Sequence, residues 1–279
     1  MVKAMFDYKI PLNEWVSDFI EWLVSNYRPL FQTLKTPIEM TLNGFEALLG
    51  QAHPLLIIVF FCFLAWKFKG WSLTVSAAFT FLIIGYLGLW EQTMQTLAMV
   101  LSSVFFCVIV GIPMGIWAAK NEKIDRGIRP LLDAMQTTPA FVYLVPIVML
   151  FSIGNVAGVI ATIVFALPPI IRLTNLGLRQ VDKEVIEAAQ AFGATNKQLL
   201  LKVQIPMAMP SILAGLNQTI MMALSMVVIA SLIGAGGLGS PVIQGLNTLD
   251  IGLAVNAGLG IVLLAIILDR ITQAIADKK

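Results

Sequence analysis

The chain has 279 residues, 58% of them hydrophobic and only 12% charged, with a mean hydropathy of +0.86. That composition excludes a soluble globular domain and describes an integral membrane protein embedded in lipid. A formal net charge of +2 is too small to imply a nucleic-acid partner.

In chain order, residues 1–52 are not expected to span a bilayer. Leu12, Trp15, Val16, Phe19, Trp22 and Leu23 fall on one face of a helix, opposite Asn13, Glu14, Asp18, Glu21 and Ser25. This face is expected to pack on the outside of the chain's own membrane domain, because the acidic polar side has the wrong sign for anionic lipid. Thr36-Pro37-Ile38-Glu39 reads as a capping box with Pro at N1, opening a second short helix through Leu42, Phe45 and Leu49. The N-terminus has no basic stretch leading into an apolar run, so no cleaved signal peptide is expected.

Charge-free runs then count the spans, each needing about 20 apolar residues. The runs at 47–66, 70–90, 92–119, 134–171, 203–249 and 251–268 predict seven transmembrane helices. Their expected positions are 54–68, 71–89, 93–118, 136–151, 156–173, 211–233 and 251–272. The organisation that follows is a tail with amphipathic helices (1–52), two accessory transmembrane helices (53–90), a core (91–273) carrying a polar loop at 174–210, and a short tail (274–279). Lys67, Lys69, Lys120, Lys123, Arg126, Arg129, Arg172, Arg179, Lys183, Lys197, Lys202, Arg270, Lys278 and Lys279 fall on one side of such a bundle. The opposite side holds only Lys3, Lys9, Arg28 and Lys35, so the polar loop and the C-terminus are expected in the cytoplasm and the N-terminus outside.

Resident chemistry is sparse. Cys62 and Cys107 lie inside apolar runs and read as small buried residues, with no disulfide or metal pair. His53 stands at the edge of the first apolar run, an interfacial position. Gly234-Ala235-Gly236-Gly237-Leu238-Gly239 matches GxGxxG, but it follows a membrane helix and not a strand, so it reads as a helix-end turn near an outer gate. No Gly-Lys-Ser/Thr occurs, so the chain is not expected to hydrolyse ATP or hold a cofactor. No Asp, Glu, Lys or Arg falls mid-bilayer, which argues against a proton- or sodium-coupled carrier. Neutral polar and aromatic groups supply the candidate translocation path: Thr138, Phe141, Tyr143, Asn217 and Ser225. Aromatic faces attract a quaternary ammonium without a fixed counter-charge. Pro113, Pro139, Pro146 and the Pro168-Pro169 pair are expected to interrupt helix regularity at depth.

The polar stretch 181–210 organises the rest. Asp182 is an N-cap, and Val185, Ala188, Ala189 and Phe192 recur on one helical face. Gly193 stands where a helix stop needs positive φ. Thr195 with Gln198 is a capping box for a second helix, whose end Pro206 is expected to mark. The prediction is a bent helical knob that a soluble partner can grip. Ala188, Ala189 and Gly193 are small enough to let that partner approach, and Glu187 is placed to bond across the interface.

Glu187-Ala188-Ala189, three residues, Gly193, nine residues, then Val203-Gln204-Ile205-Pro206 resembles the EAA loop of ABC importer permeases. Residues 134–143, 165–181 and 216–239 resemble the permease subunits of glycine betaine/proline betaine importers, and the likeness covers roughly residues 90–272. The resemblance implies an all-α polytopic fold, the type I ABC importer transmembrane domain. It also implies a second copy of the chain, a dimer of ATPase subunits holding ATP and Mg, and an extracytoplasmic substrate-binding protein. Under it, Glu187, Ala188, Ala189, Phe192, Gly193 and Pro206 belong to the ATPase-coupling element. Two alternatives stay open: a permease of the same fold for an amino acid such as methionine, and a channel or secondary transporter whose loop binds no ATPase.

Overall fold

The computed structural model describes residues 11–277, so Lys3, Lys9, Lys278 and Lys279 of the charge tally lie outside it. The described residues form helices α1 (Leu12–Gln51), α2 (Pro54–Lys69), α3 (Trp71–Tyr86), α4 (Trp90–Lys120), α5 (Glu122–Thr137) and α6 (Ala140–Phe151). They continue with α7 (Asn155–Arg179), α8 (Lys183–Ala191), α9 (Asn196–Gln198), α10 (Ile205–Ala230), α11 (Gly239–Thr248) and α12 (Ile251–Asp277). Four stretches are individually long and apolar enough to cross a membrane: α4, α7, the continuous run Asn196–Ile233, and α12. Two bent pairs, α1 with α2 at 105° and α5 with α6 at 99°, and the shorter apolar α3 complete the set. Six of the seven expected spans each fall on an apolar helix, whereas the expected span 136–151 is divided by the 99° bend between α5 and α6.

The central packing unit is α4, α7 and α10. In lipid no hydrophobic force draws helices together, so close van der Waals fit must do so. Gly111 and Gly115 of α4 provide it. A Cβ at Gly111 would lie 2.3 Å from Ile170 Cγ2, and one at Gly115 would lie 2.6 Å from Thr174 Cβ. Around that contact Leu97, Ala98, Met99, Ile170, Ile171, Ala223 and Val227 are buried.

The N-terminal region departs from expectation. One 40-residue helix replaces the two short ones, with Pro29 and Pro37 inside it. Thr36 does not cap a helix start; its hydroxyl donates back to Gln32 O at 3.2 Å, as Thr33 does to Pro29 O and Thr41 to Pro37 O. These i−4 bonds hold side chain to backbone through the stretch where each Pro withdraws an N–H. Only the later part of α1 packs on the bundle, through buried Leu42, an edge contact of Phe31 with Phe151, and Gln32 Nε2 donating to Leu150 O. Trp15, Phe19 and Trp22 stay more than half exposed, so the aromatic face does not rest on its own domain. His53 is an N-cap, its Nδ1 accepting from Leu55 N at 3.3 Å.

Of the prolines expected to interrupt helices at depth, Pro139 alone coincides with a break. Pro113, Pro146, Pro168 and Pro169 lie inside α4, α6 and α7. The long apolar run at 134–171 is broken at Thr138-Pro139, because Pro disfavours α conformation in the residue before it. Thr138 is extended, with ψ 128°, and α6 begins only at Ala140.

Candidate functional site

The knob begins three residues after α7 ends. Asp182 Oδ1 accepts from Glu184 N at 3.2 Å and starts α8. Its stop is a Schellman motif: Ala194 N donates to Ala189 O at 3.0 Å and Gly193 N to Gln190 O at 2.9 Å. Gly193 takes φ +80°, a left-handed conformation that costs a residue with Cβ about 1–2 kcal/mol. Thr195 then closes the expected capping box, its hydroxyl accepting from Gln198 N while Gln198 Oε1 accepts from Thr195 N at 2.9 Å.

None of the α8 residues is buried, while Val181 just before it and Leu199 just after the second start are. The base of the knob is thus anchored and its tip is free. Phe192 is 92% exposed and Val185, Glu187, Ala188 and Gly193 are also exposed. Burying an aromatic of that size is a large favourable term, and here nothing within the chain uses it.

Pro206 does not end the second helix. Residues Asn196–Ile233 run on as one helix through a π-helical turn at Leu199–Gln204. There Ile205 N reaches back five residues to Leu200 O. The wide turn relieves the clash that a proline ring makes with the carbonyl four residues earlier, so the chain passes Pro206 without stopping. Pro206 sits where the knob joins the membrane helix and not at the knob's tip.

The five candidate path residues are not gathered into one cavity of the single chain. Tyr143 donates its hydroxyl to Met135 O and, at 2.8 Å, to Thr138 O, stapling the α5–α6 bend. Asn217 Nδ2 donates to Asp269 Oδ1 on α12 at 2.9 Å. Phe141 is 59% exposed, and Ser225 is exposed with its hydroxyl turned back to Met221 O. The roomiest of the principal cavities, about 530 Å³, is an apolar groove between α1, α2, α4 and α12 that holds none of the five. Among the described residues no cluster of His, Cys, Asp or Glu could hold a metal, and both cysteines are free.

The glycine-rich turn at 234–239 is a clamped joint. Gly236 N donates to Asn155 Oδ1 (2.7 Å), Gly237 N to Gln95 Oε1 (3.0 Å) and Leu238 N to Thr96 Oγ1 (2.8 Å). Asn155 is itself held by donating to Glu46 Oε1 at 2.9 Å. Three successive N–H groups are occupied by side chains of α4 and α7, which leaves no donor nest for a phosphate. Sequence reasoning had found the turn but not its partners, which lie 81 and 142 residues away.

The model of the binding-protein-dependent transport system inner membrane component matches residues 111–279. The chain belongs to that family. Among these permeases, the glycine betaine/proline betaine transport system permease protein ProW of Escherichia coli (strain K12) is 57% identical over 95% of this chain and 75% of its own length. The glycine betaine transport system permease protein OpuAB of Bacillus subtilis (strain 168) is 46% identical over 97% of this chain and 96% of its own. A MetNI methionine ABC transporter solved in an inward facing conformation matches at TM-score 0.60 and 25% identity, over 66% of this chain and 92% of that one. The fold is that of a type I ABC importer permease, a transport component that spans the membrane several times.

Proposed function

We propose that this chain is the permease subunit of an ATP-driven importer of glycine betaine and related quaternary amines. The observation that carries this reading is the 57% identity across 95% of the chain to a glycine betaine/proline betaine permease. The structural likeness to a methionine transporter, at 25% identity, speaks for the fold and gives no comparable support to an amino-acid substrate. Two copies of the chain form the path, and an extracytoplasmic binding protein delivers the solute. Two ATPase subunits hold ATP and Mg and receive the knob in a groove, with Phe192, Ala188, Ala189 and Gly193 as its contact face and Glu187 pairing at the rim. The excess of Lys and Arg beside the knob supports a cytoplasmic knob and C-terminus, with the N-terminus outside, in a bacterial inner membrane. Closure of the ATPases on ATP draws the two knobs together and turns the cavity outward, and hydrolysis resets it.

The test is uptake of labelled glycine betaine by a transporter-null strain expressing this chain with its ATPase and binding protein. Saturable uptake competed by proline betaine, carnitine and choline, and not by methionine, is expected. Methionine competition without betaine competition would overturn the substrate assignment while leaving the fold intact.

A further inference from the structure

The end of α7 that leads into the knob faces α5 through charges at helical spacing. Asp125, Arg129 and Asp133 lie on one face of α5, and Arg172, Asn175 and Arg179 on one face of α7. Arg172 Nη2 donates to Asp133 Oδ1 at 2.6 Å. At the other end, Asp125 is the centre of a denser knot. Arg129 grips it with two bonds of 3.1 and 2.6 Å, Asn175 Nδ2 donates to it at 2.7 Å, and Arg179 lies 3.3 Å away. Arg179 also donates to Ala118 O at 2.9 Å, bringing in the last turns of α4. The Asp125 side chain is only 5% exposed. Burial alone would raise its carboxyl, but the Arg129 and Asn175 hydrogen bonds and the charges of Arg129 and Arg179 outweigh that and hold it below the usual carboxylate range.

A buried ion pair is a poor device for stability, because desolvation cancels much of the attraction. The apolar residues Ile128 and Leu132 already bury the inner face of α5. The forked Arg129 bond lies within α5 and orients the Asp125 carboxylate. The bonds that cross from α7 are single, from Arg172 to Asp133 and from Asn175 and Arg179 to Asp125. As directional charge-assisted contacts at two points, they fix a register that sliding apolar contacts do not. The register joins two functional pieces. Arg179 is three residues from Asp182, the cap of the knob. Asp133 is a few residues before the 99° bend into α6, which Tyr143 staples and which Gln136 ties to Met222 of α10.

We propose that Asp125 and Asp133 are positioning residues that lock α5 to the knob-bearing end of α7, so that knob, α5 and α6 swing as one elbow in each transport cycle. The proposal rests on the reading of the knob as the ATPase-docking element. Displacement of the knob enters α7 at Arg179, crosses to α5 at two ionic points, and reaches α6, with exposed Phe141, through the stapled bend. Removing one point lets α7 move while α5 lags, so ATP is hydrolysed without transport.

The test uses the full complex in proteoliposomes, reading ATP hydrolysed per glycine betaine accumulated. Asp133→Arg and Arg172→Asp are each expected to raise that ratio about fivefold or more, the lower range of allosteric couplings. The double charge swap should return it towards the wild-type value. Asp125→Asn should uncouple similarly. A ratio unchanged in the single variants, or a double variant no better than either single, overturns the proposal. A second measurement leaves the α5–α7 contacts intact: spin labels at Arg126→Cys and Glu184→Cys, with Cys62 and Cys107 replaced by Ala. Their separation should be the same with and without ATP, and a separation that changes with nucleotide overturns the proposal. If instead the unmodified complex shows no ATP-dependent uptake, the docking reading itself has failed, which is a different result.

Discussion

Replacing Gly193 by Val isolates the backbone requirement of the knob. A Cβ at Gly193 would meet nothing within 4 Å, so the substitution makes no clash inside the chain. The whole penalty is conformational. Residue 193 has φ +80°, which costs an ordinary L-residue about 1–2 kcal/mol and a β-branched one at least that. An energy of that size shifts the docking-competent population by a factor of about 5–30. Global stability should not change, because no α8 residue is buried. The assay compares ATP-dependent uptake with the thermal unfolding midpoint of the purified complex for Gly193→Asn, Gly193→Ala and Gly193→Val. Uptake is expected to fall in that order, since Asn tolerates left-handed backbone best, with the midpoint held constant. Wild-type uptake by the Val variant would refute the reasoning. So would equal losses in all three, which would point to bulk at the docking surface and not to backbone strain.

Two further substitutions test the frame around the site. Gly115→Val pushes a side chain against Ile171 O at 2.9 Å and Thr174 Cβ at 2.6 Å, and overpacking of this kind costs about 1–3 kcal/mol. It should lower the thermal midpoint and the yield of folded protein, whereas Gly127→Ala, where nothing lies within 4 Å, should do neither. Asn155→Ala removes the acceptor of Gly236 N and the donor to Glu46, leaving groups whose desolvation costs about 1–3 kcal/mol. Hydrogen exchange at residues 234–238 should quicken, with exchange in α8 unchanged.

The parts of this molecule that were legible in its sequence are those whose signals are local. Asp182, Gly193 and the Thr195–Gln198 pair each act on neighbours a few residues away, and all took the expected geometry. The apolar runs likewise marked the four helices long and apolar enough to cross a membrane. Proline was the weaker guide. Pro206 and Pro37 were read as boundaries, but helix runs on past both, through a π-helical turn at Pro206 and within α1 at Pro37. Pro139, expected to interrupt its helix, does so at the 99° bend, whereas Pro113, Pro146, Pro168 and Pro169, expected to do the same, lie inside helices. The clamp on residues 236–238 and the Asp125 knot were not legible at all. Arg129 aside, their partners are 50 to 142 residues apart in sequence and meet only once α4, α5 and α7 have packed. Tyr143 and Asn217 show the same limit: both are polar groups at depth, but the fold commits each to a neighbouring helix segment.

The most direct test of the account is accumulation of labelled glycine betaine in proteoliposomes holding this chain and its ATPase, with ATP and binding protein supplied separately on opposite sides. The account predicts accumulation only when ATP is on the knob side and loaded binding protein on the other. Accumulation driven by a sodium or proton gradient, or by this chain without the ATPase, would contradict it.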